Sequence, residues 1–123
     1  MIWRASTLPA ELATTDRVLQ RWAVSIGTGL PSEDWRDLPA RPPPLDDDTA
    51  IVVDQTILRS PERTRKLVRG WYCTDQPNHV LAARLKLTER TLICAWHVSL
   101  WYLQQRFLAS KHPTLLSLLR FRD

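Results

Sequence analysis

Glycine is scarce in this chain, with three among 123 residues. Long β-meanders consume turn glycines, so an all-β fold is disfavoured. Cysteine is scarcer still. Cys73 and Cys94 are too few for a disulfide scaffold. No run of 18 apolar residues occurs, so nothing in the pattern spans a membrane. The start, Met1-Ile2-Trp3-Arg4, lacks a basic stretch followed by an apolar core and a cleavage site. The expectation is a cytosolic protein without a signal peptide. No glycine-rich phosphate loop, nucleophile elbow or pair of carboxylates beside a base is found, so no catalytic residue and no cofactor is implied.

What is abundant is proline, tryptophan and unevenly placed charge. Four of nine prolines fall within Leu38–Pro44. Each lacks a backbone donor and restricts the residue before it, so this stretch is extended and stiff. It reads as a spacer rather than a docking ligand. Net charge is +4, but residues 32–58 carry two cations against seven acids, and residues 59–90 carry eight cations against three acids. An acidic middle and a basic second half suit one surface facing a polyanion; solvated helix faces are the alternative.

The hydrophobic spacing predicts helices only. Val18, Leu19, Trp22, Ala23 and Ile26 share one face of a helix over about 15–26, capped by Thr14 or Thr15 and ended by Gly27 and Gly29. A second helix, about 47–58, starts at Asp46-Asp47-Asp48, where carboxylates suit the positive end of the dipole. Capping is expected of these acids rather than metal binding, because consecutive helical residues diverge. Ala50, Val53 and Ile57 form its stripe, widened by Ile51 and Leu58. A third helix, about 61–72, has Ser60 as cap and Pro61 as first residue. Thr64, Leu67, Val68 and Trp71 face inward there, and Glu62, Arg65, Lys66 and Arg69 face outward. Helices over about 77–85, 88–109 and 114–121 follow. The long one has the inward stripe Leu92, Trp96, Leu100, Leu103 and Phe107. Trp22, Trp71 and Trp96 are core by spacing, whereas Trp3, Trp35 and Trp101 are less clearly so. The fold expected is one all-α domain of five to six helices over 1–123. Residues 1–45 hold the first helix and the connector, 46–109 the central body, and 110–123 a short last helix.

The informative interval is 81–95. Only Lys86-Leu87 separates two helices, which must then cross steeply. Leu81, Ala82, Leu85, Leu87, Leu92 and Ala95 match the buried positions of a DNA-binding helix-turn-helix. Lys86 departs from that pattern, since glycine is common where the turn is left-handed. An ordinary helical hairpin is the competing reading; the short turn and the basic surround favour nucleic acid. In that reading the outward residues Thr88, Glu89, Arg90, Ile93, Cys94 and His97 face the major groove. Arg90 suits guanine and Glu89 suits cytosine. Asn78, His79, Arg84 and Lys86 suit phosphates. His97 reads equally well as a polar group at the core edge. Zinc at Cys73, His79, Cys94 and His97 is disfavoured because the spacing lacks any ligand pair, and nothing orients a Cys–His nucleophile.

Three blocks together resemble the Q antitermination proteins of lambdoid phages, of the phage-21 type. They are Arg17-Val18-Leu19-Gln20-Arg21-Trp22-Ala23, the acidic-start helix from Asp46 through Asp54, and Leu67 to Tyr102. The last also resembles promoter-reading region 4 of bacterial sigma factors. The resemblance implies a factor that binds double-stranded DNA beside a phage late promoter. It implies loading onto bacterial RNA polymerase paused with its sigma factor, and read-through of pauses and terminators, with nascent RNA as a possible further contact. Polymerase contact is assigned as a hypothesis to Arg63, Arg65, Lys66 and Arg69, and to Leu115, Leu119 and Phe121 of the last helix. The alternatives are a repressor or activator acting at initiation, and an inhibitor of the polymerase.

Overall fold

The computed structural model describes residues 8–27 and 42–120. Among them are six α-helices and no strand: α1 (Ala13–Ser25), α2 (Asp47–Leu58), α3 (Glu62–Tyr72), α4 (Asn78–Arg84), α5 (Glu89–Ser110) and α6 (Pro113–Arg120). The chain is all-α, as its periodicity predicts. A short 3-10 turn, Ala10–Leu12, leads into α1.

The axis of the fold is α5. Its 22 residues run about 33 Å, and it packs against every other helix. Leu92, Trp96, Leu100, Leu103 and Phe107 are all buried along one side. That is the stripe the four–four–three–four spacing predicts. Around it lie Val18, Leu19 and Trp22 of α1, Val53 and Ile57 of α2, and Leu67, Val68 and Trp71 of α3. Trp71 and Trp96 stack with centroids 4.2 Å apart.

One polar chain crosses this core. The Trp96 indole N–H donates to the Tyr72 hydroxyl at 3.0 Å, and that hydroxyl donates to Asp16 Oδ1 at 2.5 Å. Gln20 donates to the other Asp16 oxygen at 3.0 Å. Helices α1, α3 and α5 are thereby tied by side chains whose polar atoms satisfy one another. Asp16 sits in the first turn of α1, where an exposed carboxylate would only complement the dipole. Instead burial raises its carboxyl above the ordinary 3.8, against the opposing hydrogen bonds from Tyr72 and Gln20 and the nearby Arg17 charge.

Several local expectations change. No threonine side chain caps α1, because the 3-10 turn precedes it; Thr15 is buried and Thr14 Oγ1 donates to the Leu119 carbonyl at 3.2 Å. Ser60 does not cap α3. Its hydroxyl donates back to the Thr56 carbonyl at 2.8 Å, and Pro61 takes the cap position. Asp46 caps α2 as predicted, accepting from both Thr49 N–H and Thr49 Oγ1. Ile51 and Leu58 do not widen the α2 stripe. Ile51 lies about 200° around the helix from Val53 at 100° per residue, and both side chains are exposed. Gly27 ends α1 with φ +70°, whereas Gly29, Trp3, Trp35 and Leu38–Arg41 lie outside the described residues. Pro42–Pro44 are non-helical. Arg21 donates to the Pro43 and Pro44 carbonyls at 3.2 Å each, and Ser25 Oγ accepts from Leu45 N–H at 2.7 Å. The returning chain is strapped to α1 by carbonyls that an extended proline stretch leaves without backbone partners.

Tyr72→Phe strips Trp96 Nε1 and Asp16 Oδ1 of a partner at once. Urea unfolding should show a loss of about 1–3 kcal/mol; an unchanged midpoint would remove this chain from the account of stability. Asp16 has the opposite sign from a usual carboxylate. Its raised folded value adds stability at pH below 3.8, and that contribution is lost as pH rises through the raised value. Asp16→Asn cannot titrate. The melting temperature of the wild type relative to Asp16→Asn should therefore fall between acid and neutral pH, and a difference that rises instead contradicts the assignment.

Candidate nucleic-acid interface

The α4–α5 junction is built on a backbone turn of defined type. Helix α4 ends at Arg84, with Leu85 as its C-cap. Lys86 adopts φ +60°, in the left-handed region. Its N–H donates to the Ala83 carbonyl at 3.1 Å, and the Leu87 N–H donates to the Ala82 carbonyl at 2.8 Å. This reciprocal pair is the Schellman arrangement, in which the chain reverses within two residues and the last helical carbonyls are satisfied. Lys86 therefore holds the very conformation that its lack of glycine called into question. The departure is one of residue type and not of geometry.

The side chains around the turn fall into the predicted classes. Leu81, Ala82 and Leu92 are buried, and Leu85, Leu87 and Ala95 pack partly against the same core. Thr88 caps α5, accepting from the Thr91 N–H at 3.1 Å. On the outside, His79, Arg84, Lys86, Thr88, Glu89, Arg90 and Cys94 are all exposed. The corner carries three cations, Arg84, Lys86 and Arg90, and one acid, Glu89, in the first turn of α5. The first two turns of α5 thus present polar and cationic groups, with the buried side held by the core.

Other candidate residues are placed differently. Asn78 and His97 are half-buried and engaged in contacts of their own; the His97 ring lies 5.3 Å from that of Trp96. Ile93 packs partly against the core and so is not an outward reader. Thr91 is exposed and shares a 2.8 Å hydroxyl contact with Thr88. Sequence reasoning passed over it, although its three-residue spacing from both Thr88 and Cys94 puts it on their face. Cys73 is half-buried and Cys94 exposed, and the two are not joined in a disulfide.

The residues assigned to polymerase contact separate into three groups. Arg63, Lys66 and Arg69 are exposed on α3. Arg65 is half-buried and turned inward: its guanidinium donates to the Leu58 and Ser60 carbonyls at 3.3 and 3.1 Å, closing the end of α2. Leu115 and Leu119 belong to the core and offer no contact surface, because α6 buries them against α1 and α5. Phe121 lies outside the described residues. No described helix is long and apolar enough to cross a membrane.

Comparisons with protein-family models, with curated proteins and with solved structures find no match to this chain.

A left-handed lysine is strained by its Cβ, so Lys86→Gly should raise stability by about 1 kcal/mol in urea unfolding. In an ordinary right-handed connection the same change would lower it by a similar amount. The sign of the shift therefore tests the turn.

Proposed function

We propose that this protein is a transcription factor that reads duplex DNA through the α4–α5 corner and then acts on RNA polymerase as an antiterminator. The observation that carries the DNA step is the left-handed turn at Lys86. It fixes the start of α5, where Thr88, Glu89, Arg90, Thr91 and Cys94 are exposed and Lys86 and Arg84 flank them in sequence. An α-helix with its side chains is about 10–12 Å across and the major groove is about 12 Å wide. Arg90 presents a fork suited to guanine O6 and N7, and Glu89 accepts from a cytosine amino group. His79, Arg84 and Lys86 flank that end and suit phosphates, which set register without reading sequence.

The polymerase step rests on the resemblance of the three sequence blocks to the phage antitermination proteins. It gains support from one surface feature. Trp101 is 43% exposed and Val98 67% exposed near the middle of α5, more than two turns from the corner. An exposed tryptophan beside an aliphatic side chain suits a protein partner. No covalent chemistry is asked of any residue: recruitment by DNA and occupation of the enzyme are both binding events.

The test begins by selecting a bound duplex from a random pool. That element is placed beside a promoter followed by a terminator, and the template is transcribed with bacterial RNA polymerase holoenzyme. Read-through on adding the protein is the expected result. A change in initiation alone would instead make the protein a repressor or activator, and loss of all transcript an inhibitor. On the selected element Arg90→Ala should cost roughly 1–3 kcal/mol of binding. Unchanged affinity would remove Arg90 from the interface.

A further inference from the structure

Helix α3 buries Leu67, Val68, Trp71 and Tyr72 and leaves Arg63, Lys66 and Arg69 on its solvent side. Among the described residues, Lys66 alone of the three meets an acid, Glu62 at 2.9 Å, and that pair is open to water. Like charges at three-residue spacing repel along a helix and do nothing for its stability. Acids are plentiful elsewhere in the chain, yet Glu62 is the one acid in this helix.

The direction of this ridge matters more than its charge. Arg63, Lys66 and Gly70 are spaced three and four residues apart, so they share one helical face. Gly70 is where α3 touches α4. A Cβ built there would lie 2.4 Å from Leu81 Cδ1. The face that carries Arg63 and Lys66 therefore runs, at its C-terminal end, directly into α4. Arg69 adjoins the contact glycine. Helix α4 in turn carries exposed His79 and Arg84 and leads through Lys86 to Arg90. The exposed cations of α3 thus adjoin α4 at one end, and α4 leads on to the exposed cations of the corner.

We infer that the α3 ridge of Arg63, Lys66 and Arg69 grips the phosphate backbone of the same duplex whose groove takes α5. The inference rests on the DNA reading of the corner and reassigns these residues from the polymerase. The ridge spans about 9 Å of helix. Duplex DNA carries one negative charge per about 1.7 Å of its axis, so several phosphates fall within that reach. When α5 enters the groove, the helix before it crosses the backbone. A third helix packed on α4 then lies over the flanking strand. Charge complementarity selects this occupant over an apolar protein surface, and the ridge adds affinity without reading bases.

The test is fluorescence anisotropy of the full chain on a duplex of arbitrary sequence, about two helical turns long, titrated with salt. The ridge variant is Arg63→Gln with Lys66→Gln and Arg69→Gln. A control variant, Arg106→Gln with Lys111→Gln and Arg120→Gln, removes the same net charge from exposed sites outside the ridge and the corner. A corner variant is Arg84→Gln with Arg90→Gln. Circular dichroism confirms that each stays helical. Each phosphate contact contributes about 0.9 to the slope of log affinity against log salt. The ridge variant should flatten the slope by about 2–3, and the control should leave it near the wild-type value. A ridge variant with the wild-type slope, or a control that flattens it equally, overturns the inference while leaving the corner reading standing. Weakened binding to polymerase with an unchanged DNA slope also overturns it and returns the ridge to the polymerase. Loss of slope in the ridge variant with none in the corner variant supports the ridge and contradicts the corner. Absence of any duplex binding by the wild type contradicts both.

Discussion

The left-handed turn at Lys86 is the constraint on which the functional account depends. A helix cannot bend back on itself within two residues unless one of them leaves the right-handed region. Lys86 does so, and the Lys86 and Leu87 amides close the end of α4 on Ala83 and Ala82. With Leu87 pulled into the core and Thr88 capping α5, the start of α5 is fixed in direction. Every outward residue of the corner takes its position from that. A glycine would meet the same geometry with less strain but would place no charge at the apex. Lysine accepts strain and supplies a cation there.

The body behind the corner supplies rigidity rather than chemistry. Helix α5 is both the centre of the core and the owner of the exposed end, so that end cannot move independently of the core. The chain of Trp96, Tyr72, Asp16 and Gln20 joins it laterally to α3 and α1. Close approach at Gly70 sets α4 directly on α3. The second lysine with positive φ, Lys111, performs for α5 and α6 the reversal that Lys86 performs for α4 and α5. Two tight reversals built on lysine explain how a chain with three glycines folds back on itself so often.

The elements legible in the sequence were those set by local periodicity. The α5 stripe, the buried face of α1 and the order of the helices all follow from spacings of three and four. So do the buried positions of the corner, because their spacing encodes the turn. What spacing does not encode is which side a neighbouring helix covers. Ile51 and Leu58 looked like core because they are apolar, and Leu115 and Leu119 looked like surface because α6 is short and terminal. Nor does it encode long-range polar pairing. Asp16 lies 56 residues from Tyr72, and no local rule marks it as buried. Arg65 reads as outward beside Lys66 because it is charged, but it lies about 100° around the helix from it, on the flank of the buried face, and the open carbonyls at the end of α2 engage it there. The residues at the corner were found because a turn is local; the approach of the α3 face to α4 was not, because it depends on one inter-helix contact at Gly70.

The most direct test of the central claim is an amide chemical-shift titration of the isotopically labelled chain with duplex DNA at low salt. The account predicts that shifts cluster at Arg84 to Cys94, with Leu103, Phe107 and the α6 amides left in place. Shifts confined to α1, α2 or α6, with the Lys86 to Arg90 amides unmoved, would contradict it.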